Sequence, residues 1–449
     1  MKIFLGTVNI ASLYDDLKAG FESLGHEVIT MQKIPPNPIQ APVDINTYSE
    51  AEKMLSKITR EHPQPPHKQQ EYLEQFKDVT LNKAFKEACT ADLCIFLWSS
   101  FAPDLSDVIA LKQMGVKVAI LFCGSESRVV PVENHYRKLT EAPQVGNPSD
   151  FTFQRILSVL TYVRLAEKYA DVLLGATIAG LRPSYSLITT ILDYEKIPCV
   201  VRKRDEPIIL HAPSNRSTKG TEIWQQIFSD LKAEGLKFKV RLLENISHAE
   251  MLQVFQHMDI YCGSLKHGGK MDREAMAGGC ASLSSYFKNT DLVFSMMNKD
   301  REILTERYKI QPGSNQENYL IEQHSRQGWY YTREQNPCIH VDSQTAKDEL
   351  RKIIKDKDLR FRLGEAGRKA TEKNCSPTLM AQDILDMVEN PESFETQAKL
   401  SGHYSFLREM YSPDSQAEVE LLNATTEVVK ECNWYYPQGK SLVREGLRF

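Results

Sequence analysis

What most limits the folding of this chain is a regular alternation of short apolar runs and helix-period segments between Ile208 and Ser285. Ile208-Ile209-Leu210 leads into a polar turn, His211 to Thr221, and then into a segment from Glu222 to Glu234 with Ile223, Ile227 and Leu231 on one face. Phe238 to Leu243 reads as a second strand, Ala249 to His257 as a second helix, and Asp259 to Cys262 as a third strand. Strands joined by helical crossovers pair in parallel, so the pattern predicts an α/β unit. It also creates two loop-to-helix junctions, at Ser214 to Gly220 and at Gly263 to Lys270. Each can aim unpaired backbone N–H groups at an anion.

The first half repeats the theme. Lys2 to Leu5 is a short strand, with Gly6 opening the turn after it. Leu13, Leu17, Phe21 and Leu24 recur at helical spacing, and Gly25 is a C-terminal cap. Glu27 to Met31, Ala91 to Trp98, Val116 to Leu121 and Asp171 to Gly175 read as strands. Helices are predicted at Asp104 to Met114 and Phe151 to Tyr169, the latter with Ile156, Leu160 and Val163 on one face, and near Leu81 to Ala88. Residues 31–70 hold seven of the 21 prolines and read as an extended insertion with one short helix, Tyr48 to Arg60. The insertion is either a surface excursion or a lid on the acceptor side. A dinucleotide fingerprint is absent, since Gly6 lacks partner glycines at the required offsets.

A chain of 449 residues exceeds the usual ceiling for one hydrophobic core, so two domains are expected. The formal net charge of −4 marks no polyanion binder, which excludes nucleic acid as an expected partner. Nine cysteines are scattered without C-x-x-C or zinc spacing, which predicts reduced thiols and a cytoplasmic setting. Met1 to Leu5 is too brief an apolar run for a signal peptide. No run approaches the ~20 apolar residues that span a bilayer, so membrane contact is at most peripheral, at the inner face.

The run His211-Ala-Pro-Ser-Asn-Arg-Ser-Thr-Lys-Gly-Thr-Glu222, followed by Asp272-Arg-Glu-Ala-Met-Ala-Gly-Gly279, resembles the donor-binding half of GT-B glycosyltransferases in the retaining, nucleotide-sugar-dependent group. Phe122-Cys-Gly-Ser-Glu-Ser-Arg128 is similar to a His-Gly-Ser-Asp-Ile-Arg segment on the acceptor side of some of these enzymes. Here Cys123 stands for the histidine and Glu126 for the aspartate. An ordinary Gly-Ser turn is the alternative reading of that segment. Leu359 to Lys373 and the residues after it resemble the end of the GT-B second domain, where the last helix crosses back to the first.

The resemblance implies an α/β fold of two Rossmann-like domains facing a cleft, with a C-terminal helical tail. Residues 1–200 would form the acceptor-binding domain and 207–375 the donor-binding domain, joined through a charged hinge at Val200 to Pro207. Residues 376–449 would hold the crossover helix and an appended tail. The implied activity moves a sugar from a nucleotide-diphosphate sugar to a hydroxyl of a glycan, lipid-linked or small-molecule acceptor, without cofactor or metal. A nucleotide-sugar epimerase and a catalytically silent sugar-nucleotide-binding partner are the rival readings.

Candidate residues follow. Lys219 can neutralise the leaving diphosphate, a kind of charge stabilisation worth ~3–4 kcal/mol for a single donor. Arg216 can add a forked contact to the same oxygens. Glu274 is implied to accept hydrogen bonds from a ribose cis-diol, for which two carboxylate oxygens are suited. Ser214, Asn215, Gly220, Lys266, His267, Gly268, Gly269 and Lys270 complete the expected donor site. Gly6, Gly124, Ser125, Glu126 and Arg128 are expected on the acceptor side. Many relatives carry a sugar-contacting glutamate where this chain has Lys266. Two of these candidates have a plain alternative: a solvated loop cation for Lys219, a helix-start carboxylate for Glu274.

Overall fold

The computed structural model describes residues 1–37, 40–127, 130, 146, 148–175, 191–265, 269–285 and 337–391. They form two parallel sheets, each wrapped by helices.

The first sheet contains β1 (Lys2–Thr7), β2 (Glu27–Gln32), β3 (Ile45–Asn46), β4 (Leu93–Leu97), β5 (Lys117–Leu121) and β6 (Val172–Leu174), in the order β3-β2-β1-β4-β5-β6. Its register sets Ile3 beside both Val28 and Leu93. All five residues of β4, Leu-Cys-Ile-Phe-Leu, are buried, as expected of a strand covered on both faces. Phe4, Cys94, Phe96 and Ile120 pack on one side of the sheet, and Ile3, Leu5, Ile95 and Leu121 on the other. The described α-helices of this lobe are α1 (Leu13–Ser23), α2 (Thr47–Glu61), α3 (Pro66–Ala88), α4 (Ser106–Gln113) and α5 (Phe153–Tyr169).

The second sheet contains β7 (Ile208–His211), β8 (Lys239–Leu242), β9 (Ile260–Cys262), β10 (Ala281–Ser284) and β11 (Ile339–His340), in the order β11-β10-β9-β7-β8. Around it lie α6 (Arg216–Lys219), α7 (Thr221–Ala233), α8 (His248–Phe255), α9 (Lys270–Ala277), α10 (Ala346–Lys355) and α11 (Lys357–Asn374). The last described helix, α12 (Pro377–Glu389), returns to the first lobe. Its Met380, Ala381, Ile384, Leu385, Met387 and Val388 join the core beside α1. Each large side chain buried there contributes about 1.5–3 kcal/mol.

Among the described residues two chain crossings join the lobes, one through residues 192–207 and one at Cys375–Ser376. They run side by side, since the Leu192 amide donates to the Cys375 carbonyl at 3.2 Å. This two-lobed α/β arrangement with a returning helix is the expected GT-B architecture.

Two local expectations are corrected. The second proline cluster does not stay extended: Pro66 occupies the first turn of α3, where its missing N–H costs nothing, and the helix runs for 23 residues. The buried face of α7 is built on Trp224, Ile227, Phe228 and Leu231, whereas Ile223 is 40% exposed. Trp224 took the inward position because its indole N–H can donate to the Gly263 carbonyl at 2.8 Å. The aromatic stretch at 329–331, the tail beyond 391 and the loop residues 38–39 lie outside the described residues.

Candidate active site

Strand order decides where a ligand can enter. In an open parallel sheet, ligands bind beyond the carboxyl ends of the strands, where neighbouring crossovers leave in opposite directions. That point lies between β1 and β4 in the first sheet and between β7 and β9 in the second. The loops after β1 and β4 also carry the left-handed residues Ala11, Ser12, Trp98 and Leu105. Non-glycine residues in that region are uncommon and gather at functional loops.

The loop after β7 holds Ser214 and Asn215, both exposed, and then the single turn α6. The Lys219 amide closes that turn on the Asn215 carbonyl at 3.0 Å. Gly220 follows with φ +73°, a conformation a side chain disfavours, and caps α7. A Cβ there would also lie 3.1 Å from Leu265. The Leu265 amide donates to the Lys219 carbonyl at 3.3 Å, so the two junctions are in contact. His211, at the end of β7, is buried and bonded through Nδ1 to the Cys262 carbonyl at 2.7 Å and through Nε2 to Thr221 at 2.9 Å. Burial holds its imidazole below the usual range.

Arg216 takes another course. Its guanidinium meets Glu222 at 2.9 Å, Glu244 at 3.1 Å and the Gln225 side-chain oxygen at 3.0 Å. Two carboxylates therefore occupy the fork that sequence reasoning assigned to phosphate.

At the second junction, Lys266, His267 and Gly268 lie outside the described residues. The Gly269 amide donates to the Asp272 carboxylate at 2.5 Å. Burial pushes Asp272 above the usual carboxylate range, against the nearby charge of Lys219. One turn into α9, Glu274 is 2% exposed. His248 Nε2 sits 2.7 Å from its Oε1, and Lys270 Nζ lies 3.7 Å from the same oxygen. Burial works against its charge, yet His248 and Lys270 together hold Glu274 below the usual range.

Lys270 also reaches the first lobe. It pairs with Asp16 on α1 and donates to the Ala11 carbonyl at 2.9 Å. Burial opposes its charge, but Asp16 and Glu274 raise the ammonium above its ordinary value, so Lys270 stays protonated. Burial raises both Asp15 and Asp16, with Lys270 as the main opposing charge. Beside this contact is a cavity of about 390 Å³, lined by Asp15, Glu22, Gln40, Lys196, Ser247 and His248 among others. It is bounded by both lobes and the segment between them.

On the opposite side, Gly6 lies in β1 and leads to the β1–α1 loop. Glu126 is 8% exposed and accepts from the amides of Cys123 and Gly124. The Ser125 carbonyl accepts from Arg155 at 2.5 Å. These bonds stabilise the turn; Arg128 lies outside the described residues.

Sequence reasoning missed Asp16 and His248. Asp16 sits within a helix-period segment with no motif around it, and only its burial at 5% exposure sets it apart. His248 carried a partial signal, since Ser247 and Glu250 form a capping box that fixes where α8 starts.

Among the described residues, no group of three or more His, Cys, Asp or Glu side chains is arranged to hold a metal ion. No described helix is long and apolar enough to cross a membrane.

No protein-family model matches the chain, and no curated protein matches it. Solved structures similar to it include an alpha-glucosyltransferase in complex with UDP and a 13-mer DNA containing a central A:G mismatch, at 11% identity and TM-score 0.46, covering 87% of this chain and 99% of that one. The catalytic domain of Starch Synthase IV from Arabidopsis thaliana, bound to ADP and acarbose, is 8% identical with TM-score 0.47, covering 86% of this chain and 98% of that one. TarM is 10% identical with TM-score 0.42, covering 66% of this chain and 55% of that one.

Proposed function

We propose that this chain is a glycosyltransferase that moves a sugar from a nucleoside-diphosphate sugar to an acceptor hydroxyl, with retention of configuration and without a metal. The observation that carries the reading is the meeting of two strand-order switch points. Lys270, after β9, touches Ala11, after β1, so the ligand-binding ends of both sheets open onto one cleft. A donor held by one sheet can there meet an acceptor held by the other.

In this reading residues 207–375 hold the donor and residues 1–200 the acceptor, and the helix Pro377–Glu389 returns over the first lobe. Lys219 stabilises the diphosphate as the glycosidic bond to it breaks. Glu274, ionised at neutral pH, accepts from the ribose through Oε2, since Oε1 already serves His248 and Lys270. The Gly124–Glu126 turn and the β1–α1 loop face the acceptor. The leaving phosphate takes the acceptor proton. No disulfide joins the eight described cysteines, which suits a cytoplasmic setting.

A sugar-nucleotide-binding module is the second reading. It is favoured by the carboxylates that already neutralise Arg216 and Lys270. Nucleotide release from a panel of UDP-, GDP-, ADP- and dTDP-sugars, measured with a chelator present, separates the two. Slow release from one donor, accelerated by an acceptor and lost in Lys219→Ala, is the expected result. Tight binding of a donor with no release under any condition would leave the module.

A further inference from the structure

Lys270 stands at the start of α9, whose Glu274 takes the donor ribose in the reading above, yet its ammonium is already engaged with the other lobe. Its side chain is 8% exposed. Three oxygens surround it: the Asp16 carboxylate, the Ala11 carbonyl at 2.9 Å and the Glu274 carboxylate at 3.7 Å. The Ala11 carbonyl engages one of the ammonium's protons, and the two carboxylates already compensate its charge, so a phosphate must compete with them for it. Asp16 is fixed in turn through Oδ1, which accepts from the Asp193 amide at 2.9 Å, in the segment between the lobes.

A buried ion pair of this kind does not loosen by degrees. Its attraction offsets desolvation only at close range, and separating the partners without replacement strands a costly charge. The charged groups around it are Asp15 on α1, Glu274 on α9, His248 on α8, and Asp193 and Lys196 in the connecting segment. An entering phosphate would compete with these carboxylates, because its oxygens can also accept from the ammonium.

We propose that the Lys270–Asp16 pair is a latch that holds the two lobes together without ligand and is released by a phosphate-bearing ligand entering the cleft. The ligand then has a differential affinity for the unlatched state, which any ligand-driven shift requires. The proposal rests on the donor reading only for the place where phosphate binds.

The test uses the full chain, small-angle X-ray scattering, hydrogen exchange, and inorganic pyrophosphate and UDP as probes. Without ligand, Asp16→Asn and Lys270→Met are each expected to raise the radius of gyration and to speed exchange in residues 6–13 and 270–277. Asp16→Asn, which leaves the second lobe intact, is expected to tighten pyrophosphate binding several-fold, because more molecules are competent to bind. A general structural defect would weaken it. A radius and exchange pattern equal to those of the parent protein, or weaker binding by Asp16→Asn, overturns the latch. Should both variants unfold, the parent protein decides: pyrophosphate speeds exchange in both segments if the latch exists, and slowed exchange there overturns it. The variants' opening is measured with no donor or acceptor present, so its failure is distinct from a failure of glycosyl transfer. Absence of any UDP or pyrophosphate binding would overturn both.

Discussion

The Nε2 of His248 lies 2.7 Å from Oε1 of Glu274, which ties the first residue of α8 to a carboxylate buried on α9. Because Glu274 is held below its ordinary value of 4.5, the stability it contributes is complete above that value and is lost as pH falls through the lower, folded one. Glu274→Gln should therefore flatten the loss of stability between about pH 5 and about pH 3, read from urea midpoints. A parental slope in that variant would remove Glu274 as a contributor.

Asp16 has the opposite sign. Burial raises it above 3.8, so protonation favours the folded state as pH falls. Asp16→Asn removes this compensation and should make the acid loss steeper, in the same urea series.

Lys219 and Arg216 look alike in sequence and should differ in effect. Lys219→Ala is expected to lower turnover by about 100- to 1,000-fold, as loss of one charge-stabilising donor does. Arg216 is held by Glu222 and Glu244 on an exposed face, away from the cleft, so Arg216→Ala should cost less than about tenfold. Nucleotide release at saturating donor gives the ranking; a larger loss from Arg216 would reverse the assignment.

Gly263 is packed against the support of the second junction. A Cβ there would stand 2.3 Å from Asp272 Oδ1 and 2.8 Å from Ser284 Oγ. Gly263→Ala should displace Asp272 from the Gly269 amide and lower stability by about 1–3 kcal/mol. Calorimetric titration with UDP should show weaker binding as well; parental stability and affinity together would contradict the packing.

Gly20 on α1 has no room on the side of α12. Its Cβ would fall 2.3 Å from the Pro377 carbonyl oxygen. Gly20→Ala should cost about 1–3 kcal/mol and expose the chain near Ser376 to protease. Unchanged cleavage kinetics would speak against close docking of the two helices.

Much of the architecture was legible because it rests on local pattern. The wholly apolar β4 announced a strand covered on both faces, and Gly25 after Leu24 marked the end of α1. The Lys219 and Gly269 junctions were legible for the same reason, since turn, glycine and helix are neighbours in sequence. Lys270 and Ala11, 259 positions apart, meet only once both sheets have formed. No periodicity encodes that meeting, so nothing in the sequence singled out Asp16. Arg216 misled in the reverse sense: its side chain chose Glu244, on another loop, over the cleft. Pro66 misled because proline breaks a helix anywhere except in its first turn.

The paired crossings between the lobes limit how the molecule can move. Two bodies fastened at adjacent points, with Leu192 bonded to Cys375, behave like a door on a short pintle. Swinging about the line through those points is permitted, while sliding and independent twisting are not. Severing either connection alone would leave the halves attached, and the mouth of the cleft would still widen along a single arc.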